Sequence, residues 1–108
     1  MHKIMSLKGT IKKIDKYNKL VLFIKDPYMI NHVSDNIDKE HRTPFQCTDD
    51  GVEYYINIPI YRHYITDLLK NHINKEIAID VTLKKYNFDN IKGTSLILRS
   101  VEDICQSD

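Results

Sequence analysis

Residues 75–101 read KEIAIDVTLKKYNFDNIKGTSLILRSV, and their alternation decides the fold class. Apolar side chains recur at every second position, Ile77, Ile79, Val81 and Leu83, and again at Leu96 and Leu98. A period of two sends successive side chains to opposite faces of an extended chain, so each run buries one face and wets the other. Between the runs a polar loop holds Tyr86, Phe88 and Lys92, with Gly93 as its turn signal. The stretch therefore predicts a β-hairpin.

Working back toward the N-terminus, the same period recurs. In IMSLKGTIKKI (4–14), Leu7, Gly9 and Ile11 share one face, while Lys8, Thr10 and Lys12 share the other. Glycine inside a strand marks a bulge or a tight bend, as a first barrel strand needs where it curls between two sheets. Asp15 to Asn18 predict a turn into LVLFIK, with Leu20, Leu22 and Ile24 on one face and Val21, Phe23 and Lys25 on the other. Residues 26–43 form a long polar excursion containing Pro27, with a short helical piece around Tyr28 to Val33. TPFQCT and VEYYINI flank Asp49-Asp50-Gly51, which predicts a second hairpin. Its second strand sets Val52, Tyr54, Ile56 and Ile58 against Glu53, Tyr55 and Asn57. After Pro59 the period changes, and Tyr61, Ile65, Leu68 and Ile73 space themselves as the apolar face of a helix ending at Asn74-Lys75.

The 108 residues make one domain by size, residues 1–108, large enough to bury a core without disulfides or metal. Hydrophobic residues are 42% and charged residues 29% of the chain, which argues against wholesale disorder. No apolar window is long enough to cross a membrane, and the N-terminus lacks a signal-peptide pattern, so an intracellular, reducing compartment is expected. Cys47 and Cys105 are accordingly expected as thiols. Net charge is only +1, but it is unevenly placed. Residues 1–25 hold seven lysines against Asp15, whereas residues 26–53 hold seven acidic residues against Lys39 and Arg42. Such asymmetry gives a near-neutral chain a basic face.

The order strand, strand, strand, helix, strand, strand resembles the oligonucleotide/oligosaccharide-binding (OB) fold, a mainly β, five-stranded Greek-key barrel with one helix between strands three and four. LKGTIKKIDKYNKLVLFI is similar to its bent first strand running into the second, and VTLKKYNFDNIKGTSLILRSV to the closing hairpin of single-stranded DNA-binding and replication-protein-A-like domains. The chain departs from that pattern in lacking tryptophan, a cysteine cluster and an acidic tail, and in carrying the excursion at 26–43.

The resemblance implies single-stranded nucleic acid, DNA before RNA, held on the second and third strands and the loops beside them in replication, repair or recombination. Stacking then falls to Phe23 and Tyr55 on the sheet, Tyr17 in the first loop, and Tyr86 and Phe88 in the last. Phosphate contacts fall to Lys12, Lys16, Lys19, Lys25, Lys84, Lys85, Lys92 and Arg99. Each has a plainer reading: Phe23 as core on a strand apolar on both faces, Tyr86 and Phe88 as plugs of the barrel end, and lysines as solubilising charge.

Catalysis and cofactors are not expected. Gly9, Gly51 and Gly93 are too far apart for a phosphate loop, and His32, His41, His63 and His72 have no metal-ligand spacing. Asp49, Asp50 and Glu53 supply too few ligands for calcium. The alternative reading is a barrel serving as a protein-interaction subunit or homo-oligomer, which the acidic 26–53 segment and exposed rings favour.

Overall fold

In the computed structural model, which describes residues 3–37 and 45–104, the strands are β1 (Lys3–Ile14), β2 (Lys19–Ile24), β3 (Phe45–Cys47), β4 (Val52–Asn57), β5 (Glu76–Phe88) and β6 (Ile91–Ile104). Helix α1 (Pro27–Asn36) follows β2, and a 3-10 turn (Ile60–Arg62) leads into α2 (His63–Lys70) between β4 and β5. Pairing runs β2–β1–β5–β6–β4 and returns from β4 to β2, so five strands close a barrel, with β3 added on β4. All barrel pairs are antiparallel except β4–β6, which is parallel.

Closure depends on β1 serving two neighbours. Residues 3–10 pair with β5 and residues 10–14 with β2, so the strand turns a corner at Gly9-Thr10. A Cβ on Gly9 would lie 2.6 Å from the Phe23 carbonyl oxygen and 3.0 Å from both Ile24 and Leu22. The bend brings the β2 backbone where a side chain would stand, and only glycine leaves the room.

The interior is built from the alternations read above. Met5, Leu7 and Ile11 meet Leu20, Leu22 and Ile24, then Tyr54, Ile56, Ile77, Ile79, Val81, Leu83, Leu96 and Leu98, all buried. Helix α2 adds Ile65 and Leu69, and its buried Thr66 donates to Asn18 Oδ1 (3.4 Å) in the β1–β2 turn. Tyr61 and Leu68, expected inward, point outward (78% and 41% exposed). Tyr61 lies in the 3-10 turn, outside the α-helical period of Ile65, and within α2 the inward stripe runs from Ile65 to Leu69, one turn on, rather than to Leu68.

The fold carries two helices where one was expected, because the piece around Tyr28–Val33 extends to ten residues. Asp26 caps it by accepting from the Tyr28 N–H (3.1 Å), Pro27 sits where no N–H is needed, and Val33 reaches the core with Met29, Ile30 and Ile37 beside it. The remainder of the 26–43 excursion, residues 38–43, lies outside the described residues.

The last hairpin also differs from expectation. Tyr86, Phe88 and Lys92 are in strands, not a loop, because pairing continues to Phe88↔Ile91. The turn is Asp89-Asn90, both at positive φ (51° and 65°), the type I′ geometry that suits the twist of a two-residue hairpin. Gly93 is a strand residue opposite Tyr86, and the Tyr86 ring covers the space where a Cβ would project. Residues 84–95 thus carry the hairpin past its last pairing with β4 as an arm, with Gly93 and Thr94 still buried near the base and residues 84–92 exposed. β2 takes one edge of β4 along its whole length, so β3 (on 52–54) and β6 (on 56–57) divide the other. The arm is therefore not zipped onto β4.

Candidate nucleic-acid interface

On the outside of β1, β2 and β4 the cross-strand rows are Thr10–Phe23–Glu53, Lys13–Val21–Tyr55 and Lys19–Asn57. Phe23 and Tyr55 share this face on neighbouring strands, with Val21 (1% exposed) set between and beneath them. Both rings are half-buried, so each is supported from below yet open to water.

Specific contacts fix Phe23. Between Ile11↔Leu22 and Lys13↔Val21 strand β1 contains one extra residue, Lys12. A bulge re-aims its side chain, and Lys12 Nζ stands 5.0 Å from the centroid of the Phe23 ring. From the β3–β4 turn Gly51 approaches so closely that a Cβ there would come within 2.6 Å of the same ring. That turn is held by the Thr48 N–H donating to Gly51 O (2.9 Å) and the Gly51 N–H donating to Thr48 Oγ1 (3.0 Å). The Tyr55 hydroxyl donates to Gln46 Oε1 (3.2 Å) on β3, which directs that ring across the sheet.

At one end of the face the Asp15 carboxylate accepts from the N–H groups of Tyr17 and Lys19, both at 2.9 Å, and Asn18 takes positive φ. This turn presents Tyr17, 70% exposed, with Lys16 Nζ 5.1 Å from its ring. At the other end Lys8, Thr10, Phe23, Lys25, Asp26, Met29 and Glu76 line a groove of about 410 Å³ between β1, β2, α1 and the start of β5, where Lys8 Nζ pairs with Glu76 Oε1 (2.9 Å).

The structure thus brings together Lys12, Lys16, Tyr17, Lys19, Phe23, Lys25 and Tyr55 along one wall. The arm forms a separate group. Alternation puts Lys84, Tyr86, Phe88 and Ile91 on one of its sides and Lys85 and Lys92 on the other. Arg99 stands apart from both, beside Tyr61, Thr82 and Ile97 on the outer wall of β5 and β6. Lys13 joins this wall although simple alternation from Lys12 turns it inward, because the bulge shifts the register. The signal was Ile11 and Ile14 three residues apart within one strand, which requires a bulge if both are to face the core.

Elsewhere the chemistry is structural. On the outer wall the Ser6 hydroxyl donates to Asp80 Oδ1 (2.6 Å), and with a hydrogen bond shared with Glu102 and a longer one from Ser100 it holds the Asp80 carboxyl below its ordinary range. A carboxyl lowered in the folded state stabilises the fold above its unfolded pKa, and this is lost as pH falls through the folded value. Asp80→Asn should therefore flatten the fall of melting temperature on acidification below about pH 4, read by circular dichroism, relative to the wild type. Burial, then the neighbouring Cys47, pushes the Tyr54 hydroxyl up. Cys47 is an exposed free thiol, and Cys105 lies outside the described residues. Among the described residues no cluster of histidine, cysteine and carboxylates could hold a metal, and no helix is long and apolar enough to cross a membrane.

Comparison with family models, curated proteins and solved structures found no match to this chain.

Proposed function

We propose that this chain is an OB-type barrel, without catalytic machinery of its own, that holds single-stranded nucleic acid, DNA before RNA, across the outside of β1, β2 and β4. It would protect or position the strand in replication, repair or recombination. The observation that carries the reading is the Phe23 ring, held outward between Lys12 and the bare backbone of Gly51 with Tyr55 on the next strand. Supported rings at adjacent strands suit stacking on successive bases, and stacking is tolerant of sequence because every base has a flat face. The order of barrel strands adds support. In an OB barrel the ligand lies on the second and third strands, which here are β2 and β4.

Lys12, Lys13, Lys16, Lys19 and Lys25 surround these rings and supply the charge that displaces counterions from phosphates. Each phosphate contact contributes about one unit to the slope of log affinity against log salt. The variant Lys12→Gln/Lys19→Gln should lower that slope by about two and weaken binding to all sequences alike, measured by fluorescence anisotropy. An unchanged slope counts against this face.

Glu53 favours a second reading, a protein-interaction subunit. Its carboxylate is the cross-strand neighbour of Phe23 and repels phosphate. Under that reading the same rings dock on a partner, and single strands do not bind even at low salt.

A further inference from the structure

Glu53 is out of place on a wall built for phosphates. It is half-buried on the face that carries Lys12, Lys13 and Lys19, and among the described residues no hydrogen bond or ion pair engages its carboxylate. The nearest bulge cation, Lys12, has its ammonium over the Phe23 ring instead. A bare carboxylate weakens phosphate contacts, but it accepts readily from the N–H groups on a base edge.

The register shows what stands beside it. Glu53 lies directly opposite Phe23 on β2 and directly opposite Gln46 on β3. Opposed side chains stand about 5 Å apart on one face, so amide, carboxylate and ring form a row. Gln46 is exposed, and its Oε1 accepts from the Tyr55 hydroxyl (3.2 Å), which leaves the Nε2 hydrogens to donate. From β3 toward β2 the row therefore reads donor, acceptor, acceptor, and it ends on an aromatic ring.

We propose that this row reads guanine in the bound strand, with Gln46 Nε2 donating to O6 and the Glu53 carboxylate accepting from N1–H and the N2 amine. The inference rests on the nucleic-acid reading and adds a base preference to it. A single strand leaves the Watson–Crick edge of each base free for such contacts. Glu53 is beside both rings, cross-strand from Phe23 and two residues from Tyr55, so a base stacked on either can turn that edge to the row. Guanine alone presents acceptor, donor, donor in matching order. Adenine and cytosine set a ring acceptor against the carboxylate, and thymine sets a carbonyl there at one end of its edge.

Anisotropy titrations at one low salt concentration test it with three labelled thymine strands of about 20 nucleotides, carrying guanine, adenine or hypoxanthine at every fourth position. Hypoxanthine is guanine without the N2 amine, so it removes one donor and keeps O6 and N1–H. The guanine strand should bind about tenfold tighter than the adenine strand, with the hypoxanthine strand between them. Glu53→Gln should bring all three within about twofold of one another at an unchanged melting temperature, because the amide replaces one acceptor by a donor. The hypoxanthine strand decides the question if Glu53→Gln disturbs the fold. Equal affinity of the wild type for the three strands overturns the guanine assignment and leaves the strand-binding reading standing. So does a guanine preference that Glu53→Gln leaves undiminished. No binding to any of the strands overturns the strand-binding reading, and this inference with it.

Discussion

Replacing Gly9 by valine is expected to lower the free energy of unfolding by about 3 kcal/mol or more, a large share of the 5–15 kcal/mol that ordinarily stabilises a domain. The cause is local and geometric. A Cβ at this position falls 2.6 Å from the Phe23 carbonyl, and the remaining contacts are with the buried side chains of Leu22 and Ile24. Neither the carbonyl nor those side chains can retreat without loosening the β1–β2 pairing, because Phe23 is paired with Thr10 at the corner. Urea denaturation should show the loss as a lower midpoint. Gly93→Ala is the informative contrast. Its nearest contacts would be the far end of the Tyr86 side chain, which is 40% exposed, rather than backbone, so a loss under about 1 kcal/mol is expected. Gly9→Val within that same small margin would mean that β1 does not turn its corner as described.

The second large effect concerns binding. Phe23→Ala and Tyr55→Ala should each weaken single-strand affinity by about tenfold to a hundredfold, since a stacked ring contributes roughly 1–3 kcal/mol per base. Stability should change much less, because both rings are only half-buried and Val21 covers the core beneath them. Anisotropy titrations at fixed salt separate the two effects. Losses under about twofold for both variants would remove these rings from the interface. Tyr86→Ala and Phe88→Ala report separately on the arm, whose rings occupy its outer side with Lys84.

Much of the barrel was legible in the sequence wherever one strand face is apolar and the other polar. Ile77, Ile79, Val81 and Leu83, or Tyr54 and Ile56 against Glu53 and Tyr55, leave no second way to place the strand. Strand β2 did not have that clarity. Val21 is buried outside the barrel lumen by its neighbours Lys13 and Tyr55, so apolar character on both faces concealed which side held Phe23. In helix α2 Ile65 faces inward as its spacing predicts, but Tyr61 belongs to a 3-10 start with a different period, and Leu69 rather than Leu68 continues the buried stripe.

The arm reads as a loop because lysines and asparagines interrupt the apolar alternation over its exposed residues 84–92. Gly93 reads as a turn residue in the sequence, but its lack of a Cβ accommodates Tyr86, and the turn itself belongs to Asp89-Asn90. Of the candidate site, the residue types could be read but their grouping could not. The bulge at Lys12 and the approach of Gly51 bring distant parts of the chain to one ring, and no local pattern announces either. Arg99, nominated with the rest, is on the outer wall of β5 and β6 with Tyr61.

The most direct test of the central claim is fluorescence anisotropy with a labelled single strand of about 20 nucleotides and its matched duplex, at low and moderate salt. Micromolar or tighter binding that prefers the single strand and weakens steeply with salt is the predicted result. No binding at low salt, or equal affinity for the duplex, would contradict it.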